Sequence, residues 1–579
     1  MKRGTTEIKG SIAIDWDVPV TMRDGHVLRA DVFRPVEPGN YPVILTHGPY
    51  GKWLSFQQGF GWMWDVMLEE YPEIVASSSN DLLVWETPDP EQWVPHGYVC
   101  VRVDSRGAGR SEGYIDVFSE REATDYYDCV EWAGVQDWSN GKVGLLGISY
   151  YATNQWHVAA LRPPHLAAIC PWEGSADYYR EFLRHGGILH SFFLSWYPST
   201  VDRIQHGLGE RSDRSTITGE WVAGPETLSD EELAANRPDY FRDLREHKLL
   251  DTYHRERTAD LSKIEVPLLS AGNWAHHIHT RGNIQAYQDV SSRQKWLQLH
   301  GLEHWVLFYA EEGLKLQRQF FDHFLKGEDN GWEDTPPVIL NLREVDGTFS
   351  PATAEAWPLP STRWTTMQLD ADALSLAPGE NDADAEIVVP PNESGVTFFA
   401  EPVPEKTAIT GPLAATLYVS TEQPDVDVFL TLRVQDPDGN DVRLRSAVDP
   451  RGVVTLGWLR ASQRTLDAKA STPHVPVHPH DRVEPVVPGE VMRLDIEIWP
   501  TSIVLPAGYR IGLTVTGQDF QFDVDGTEPV MWGITMRGQG CFLHNDPEDR
   551  PKDVFEQPFT VHTGPSYPSS LIVPVVPLG

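Results

Sequence analysis

The sequence predicts an α/β domain interrupted by a helical insertion and followed by an all-β sandwich, and three observations carry that prediction. Up to about residue 345, short apolar, β-branched runs alternate with helical stretches, the pattern of a mainly parallel sheet. About 90 residues rich in Arg, Glu, His and aromatics separate the fourth of these runs from the fifth, too many for a plain crossover. From Pro336-Pro337 onward the character changes to short alternating strands punctuated by turns such as Asp436-Pro437-Asp438-Gly439-Asn440.

Taken in order, the central strands are expected at Tyr41–Thr46, Tyr98–Val103, Val143–Gly147, Leu166–Cys170 and Val266–Ser270, each apolar enough to be covered on both faces. Helix-like spacing in Tyr178–Leu194 and Asp230–Leu249 marks the insertion as a helical cap over the sheet. The expected divisions are 1–175 and 263–345 for the two parts of the α/β core, 176–262 for the cap and 346–579 for the jelly-roll sandwich. The His- and Pro-rich stretch Thr472–Pro488 lacks periodicity and reads as an irregular loop.

Composition narrows the function classes. A net charge of −37 over 579 residues removes any general attraction to phosphate backbones or anionic lipid, so neither nucleic acid nor a membrane surface is an expected partner. No apolar run follows Lys2-Arg3 and no stretch of about 18 apolar residues occurs, so neither export nor membrane spanning is expected. Cys100, Cys129, Cys170 and Cys541 are far apart and lack metal or disulfide-framework spacing. Buried free thiols in a reducing cytoplasm are the expectation.

The most specific local motif is Val143-Gly144-Leu145-Leu146-Gly147-Ile148-Ser149-Tyr150-Tyr151-Ala152, an apolar strand running into G-x-S-x-x-A and then a helical stretch. A sharp strand-to-helix turn needs small residues around the serine, and it projects the hydroxyl above the sheet at a helix N-terminus. The alternative for a bare G-x-S is an ordinary connection with a capping serine. Two glycine-rich segments support the functional reading. Thr46-His47-Gly48-Pro49-Tyr50-Gly51-Lys52 follows the first strand, where an oxyanion loop belongs. Asp104-Ser105-Arg106-Gly107-Ala108-Gly109-Arg110-Ser111-Glu112-Gly113 follows the second; Arg110 and Glu112 suit a dinucleotide fingerprint poorly, and a structural loop at the sheet's top edge is the better reading.

These segments, with Val20-Thr21-Met22-Arg23-Asp24-Gly25, resemble the cocaine esterase and X-prolyl dipeptidyl peptidase family of α/β-hydrolases. The likeness extends to the C-terminal domain, where Leu505-Pro506-Ala507-Gly508-Tyr509-Arg510-Ile511 and Ser569–Pro577 resemble the family's jelly roll. The resemblance implies serine hydrolysis of an ester, or of an acyl-amide or N-terminal dipeptide, through an acyl-enzyme and without a cofactor. It implies Ser149 as nucleophile, His304 as general base, and an oxyanion hole formed by the Tyr50 hydroxyl and the Tyr150 amide. His304 also follows the alternating run Trp296–Leu299, which places it on a loop after a late strand.

The triad acid departs from the family pattern. Where the family has Asp, Ala271-Gly272-Asn273-Trp274-Ala275-His276 offers His276 and no carboxylate. Glu173, at the end of the neighbouring strand, is the expected replacement and preserves the order Ser149, Glu173, His304; its alternatives are a cap salt bridge or a substrate-amine ligand. Trp172, Trp274, His276, Phe193 and Trp196 are the expected substrate-lining residues. His276, His277 and His279 are clustered, but no acidic or cysteine ligand lies at helical spacing among them, so no metal is expected. The expected substrate is a small-molecule ester or amide, and the oligomeric state, homo-oligomer included, is left open. The rival from another class is a non-catalytic binding protein that has lost its acid.

Overall fold

The computed structural model describes residues 6–577 apart from Asp525 and Trp532. The first sheet is built from β1 (Thr6–Lys9), β2 (Ile12–Thr21), β3 (Val27–Pro35), β4 (Tyr41–Gly48), β5 (Val99–Asp104), β6 (Ser139–Ile148) and β7 (Leu166–Trp172). After a two-stranded hairpin in the insertion, β8 (Arg184–His185) and β9 (Ile188–Leu189), it continues with β10 (Leu268–Asn273), β11 (Lys295–His300), β12 (Val338–Arg343) and β13 (Phe349–Ala354). The strand order is β1-β2-β3-β5-β4-β6-β7-β10-β11-β12-β13.

From β5 to β12 all pairings are parallel. All five expected central strands are present, each running to within a few residues of its expected bounds. Their carboxyl ends lie along one edge, where the loops carrying Ser149, Glu173, His276 and His304 emerge, as ligand sites do in open α/β sheets. The sheet takes in β13, so it extends beyond residue 345.

The insertion is less regular than its spacing suggests. Instead of one helix over Tyr178–Leu194 there is a π-helical turn at Tyr178–Leu183, the β8–β9 hairpin, and a short helix at Phe192–Trp196. Gly186 and Gly187 turn the hairpin with φ of 56° and 90°. A Cβ on Gly186 would fall 2.0 Å from the Trp458 carbonyl oxygen, so this approach to the C-terminal domain requires glycine. Asp230–Ala235 and Tyr240–Glu246 are separate short helices, divided around Pro238.

The C-terminal region is all-β, and its sheet closes on itself because Ser570–Val576 pairs with both Arg363–Asp370 and Thr407–Ser420. The two long strands Thr407–Ser420 and Met492–Leu505 pair across a bulge between Gly411 and Leu413. Leu413, Leu417, Leu430, Leu494, Ile496 and Leu513 are fully buried in its core. Thr472–Pro488 is irregular, as expected. All four cysteines are unpaired and buried. Among the described residues no helix is long and apolar enough to cross a membrane.

Candidate active site

Ser149 stands between β6 and the helix Tyr150–Ala160 with φ of +56° and ψ of −111°. This is a sparsely populated conformation for a residue with a Cβ, and it lifts the hydroxyl off the helix axis. Small neighbours make room for it. A Cβ on Gly147 would lie 2.4 Å from Tyr151 Cβ, and one on Gly174 would lie 2.8 Å from Ala152 Cβ. The Ser149 N–H donates to the carbonyls of Trp172 (3.0 Å) and Glu173 (3.1 Å), tying the turn to the end of β7. Tyr150 begins the helix, where the first N–H groups have no intrahelical acceptor.

Glu173 and Glu86 are two further buried residues at positive φ, 48° and 62°, and both contact His304. The His304 Nδ1–H donates to Glu173 Oε2 at 2.7 Å, and His304 Nε2 lies 3.1 Å from Glu86 Oε1. Burial would raise the Glu173 carboxyl, but the attraction of His304 and the nearby His300 ring outweigh it and hold it at about 2. His300 Nε2 lies 3.1 Å from Glu173 Oε1 but makes no aligned hydrogen bond, so His304 is the better-formed partner. Burial opposes charge on His304; Glu173 first and Glu86 second overcome it and raise the imidazole to about 9. Glu86 is pushed up to about 7 by burial, against the lowering influence of His304.

The imidazole on Ser149 is not His304. Ser149 Oγ is 3.0 Å from His279 Nε2, whose ring lies nearly parallel to that of His304, centroids 5.6 Å apart. The Ser175 hydroxyl donates its single hydrogen to the Ile278 carbonyl at 2.5 Å and so accepts from His279 Nδ1 at 3.1 Å. That leaves Nε2 of a neutral His279 as the acceptor of the Ser149 hydroxyl hydrogen. Burial, and then the neighbouring His304 charge, hold His279 well below the usual histidine range.

The Tyr50 hydroxyl accepts from Trp196 Nε1 at 3.2 Å, which leaves its own hydrogen free to point toward Ser149. Burial keeps the phenol protonated. The Tyr150 phenol donates to Glu122 at 2.6 Å.

The cleft lies between walls from three parts of the chain. Phe60, Met63 and Trp85 come from the core domain, Phe182, Phe193 and Trp196 from the insertion, and Val448 and Phe542 from the C-terminal domain. That third wall also fixes the loops: His304 N–H donates to the Ala447 carbonyl (2.9 Å), and Ala447 N–H to the Ala275 carbonyl (3.1 Å).

Of the expected lining residues, His276, Phe193 and Trp196 face the cleft, as do Tyr50 and Tyr150. Trp172 and Trp274 do not. Trp172 is fully buried beneath the cleft, donating to Cys170 Sγ at 3.2 Å and packing on Phe308. Trp274 turns to the far side, donating to the Asn341 carbonyl at 2.7 Å and packing on Trp357. Two residues at the centre escaped the sequence reading. His279 is visible in the sequence only as one of a histidine cluster in the loop after β10, where it directly precedes the helix Thr280–Asp289. Glu86, in Trp85-Glu86-Thr87-Pro88, carries no signal in the sequence. The loop after β5 is structural, with the Asp104 carboxylate accepting from the N–H groups of Lys52 (2.7 Å) and Arg110 (2.8 Å).

Comparison with known proteins agrees with this architecture. Residues 24–306 match the X-Pro dipeptidyl-peptidase (S15 family) model, and residues 330–572 match the X-Pro dipeptidyl-peptidase C-terminal non-catalytic domain. A putative serine esterase of Mycobacterium tuberculosis is 26% identical, over 86% of this chain and 90% of that protein. The cocaine esterase of a Rhodococcus species is 23% identical, over 98% of this chain and 100% of its own. A crystal structure of a CocE/NonD family hydrolase from Staphylococcus aureus superposes with a TM-score of 0.84 at 32% identity, covering 98% of this chain and 94% of that one. With a strained serine at the strand-to-helix turn, a buried carboxylate–imidazole pair beside it and this likeness along its whole length, the chain belongs to the CocE/NonD family of serine hydrolases.

Proposed function

We propose that the protein hydrolyses a small carboxylic ester through an acyl-enzyme on Ser149, with His304 and Glu173 as the acid–base pair. The observation that carries this reading is the 2.7 Å contact of buried Glu173 with His304, which lines the same cleft as Ser149. The imidazole that takes the serine proton becomes cationic, and a buried anion on its other nitrogen both orients it and stabilises that charge. His304 has such a partner; His279 has only a hydroxyl.

In the resting arrangement His304 Nε2 is engaged by Glu86. His304, at about 9, holds its Nε2 proton more tightly than Glu86, at about 7, so His304 acts as base once that proton has been given up, the Glu86 carboxyl has turned aside and the Ser149 hydroxyl has left His279. Attack then produces an oxyanion between the Tyr50 hydroxyl and the Tyr150 amide. Return of the proton to the leaving alcohol gives the acyl-enzyme, and water repeats the sequence to release the acid. The apolar aromatic walls favour a hydrophobic acyl or aryl group. A cytoplasmic location is part of the proposal and rests on the four unpaired, buried cysteines.

A second reading makes His279 the direct base, favoured by its 3.0 Å contact with Ser149 and its inward lone pair. Its depressed basicity argues against it, since an imidazole held far below neutrality is a weak proton acceptor. Covalent labelling with a fluorophosphonate, followed by peptide mass analysis, tests the common core of both readings. The adduct is expected on Ser149 and absent from Ser149→Ala; ester turnover by Ser149→Ala would overturn it.

A further inference from the structure

The histidines around Ser149 have a second chemical capacity. His276 and His279 follow β10, and His304 follows β11; all three are buried, and each offers a ring nitrogen within 4.8 Å of the others. Their ring centroids are 4.3, 4.7 and 5.6 Å apart. Tetrahedral zinc, with metal–nitrogen bonds of about 2.0–2.1 Å, needs ligand nitrogens roughly 3.4 Å apart, so modest side-chain rotations suffice.

Two of the three outward nitrogens are already occupied in the manner of metal-ligating histidines. Glu173 holds His304 Nδ1 at 2.7 Å, the carboxylate–histidine arrangement that orients a ligand and raises its basicity. Ser175 holds His279 Nδ1 at 3.1 Å, whereas His276 Nδ1 accepts from the Ile278 N–H at 3.4 Å, so the His276 ring must move its proton from Nε2 to Nδ1 to ligate. The Nε2 atoms are therefore the ones left for the centre of the cluster. A carboxylate stands at the edge of the three-histidine cluster and could turn in as a fourth donor. Glu86 Oε1 lies 3.1 Å from His304 Nε2, and its other oxygen, Oε2, is buried with no hydrogen-bond partner among the described residues. Two buried carboxylates offset a dication in this apolar cleft, one as ligand and one behind a ligand.

We propose that His276, His279, His304 and Glu86 bind a divalent transition ion, zinc foremost because imidazole donors suit it better than magnesium or calcium, and that the bound ion inhibits the hydrolase. Inhibition follows because the ion takes the His279 and His304 nitrogens that Ser149 uses. This half rests on the serine-hydrolase reading; binding does not.

Binding is therefore tested in Ser149→Ala, which needs no activity. Titration with Co2+ should give the visible bands of a tetrahedral site at one equivalent, and calorimetry should show one equivalent of Zn2+ bound. In the same background His276→Ala and Glu86→Gln, each checked for folding by circular dichroism, should weaken binding at least ~10-fold, and Glu173→Gln by about 10–100-fold as for other outer partners of ligating histidines. Absence of saturable one-to-one binding, or binding indifferent to both His276→Ala and Glu86→Gln, overturns the site. With the unsubstituted enzyme, Zn2+ should suppress ester turnover and a chelator should restore it. One-to-one binding without inhibition overturns the inhibitory role.

Discussion

Replacing Glu173 with Gln removes one charge while keeping nearly the same shape, and the structure sets what should follow. The net drop in the Glu173 carboxyl from 4.5 to about 2, with burial opposing and His304 and His300 favouring it, corresponds to roughly 3 kcal/mol in favour of the ionised form, at 1.36 kcal/mol per unit. Because Glu173 is depressed, its share of that stability is present above about 4.5 and is lost as pH falls through about 2. Because His304 is raised to about 9, its share is present below 6.5 and is lost as pH rises through about 9. The pair is thus fully formed between about 4.5 and 6.5, and there the thermal stability of Glu173→Gln should fall furthest below the parent. For turnover, loss of the triad acid costs about 10⁴ in kcat in the well-studied serine protease case, and Glu173→Gln should approach that loss on a neutral nitrophenyl ester. The acid limb of its residual kcat/KM profile should move to lower pH, since without the anion His304 loses its proton more easily. A kcat within a few-fold of the parent from pH 5 to 9 would refute the role of Glu173. A rise in KM confined to amine-bearing esters would mark it instead as a substrate ligand.

The two imidazoles separate by substitution: His304→Asn should abolish turnover nearly as completely as Ser149→Ala, whereas His279→Asn should retain a measurable kcat, and the reverse ranking would make His279 the base. Tyr50→Phe should lower kcat by roughly 10²–10³ with little change in KM, as for deletion of one oxyanion donor, which steady-state kinetics reads directly. Gly174→Ala would place a Cβ 2.8 Å from Ala152 Cβ and 2.9 Å from the Thr153 nitrogen. Overpacking of that kind costs about 1–3 kcal/mol and should lower the temperature of half-inactivation while also reducing kcat. Trp172→Phe should leave KM unchanged, since that ring packs beneath the cleft and does not line it; a large KM change would return it to the binding surface.

The sequence by itself determined the layers, the order of the parallel strands' appearance, the serine turn and the all-β second domain. Those features are written in local patterns: apolar runs of strand length, small residues flanking Ser149, and turn residues at short intervals. It also indicated Glu173 as the carboxylate beside His304, because adjacent parallel strands end at one edge and topology alone brings β7 and β11 loops together there.

What it could not determine is which atoms meet. Glu86 reaches His304 from a segment 218 residues away, and neither its positive φ nor its burial has a local signature. The choice between His276, His277 and His279 for the place facing Ser149 depends on how the loop after β10 is folded, and that loop is held by the Ala447 backbone of the other domain. The helix expected over Tyr178–Leu194 is interrupted for the same reason, by a hairpin whose Gly186 and Gly187 come close to Trp458 and Gln463 of the other domain. Tertiary packing decided these points because each is a balance between a strained or buried group and contacts supplied from distant parts of the chain, and periodicity records only what a residue's near neighbours require.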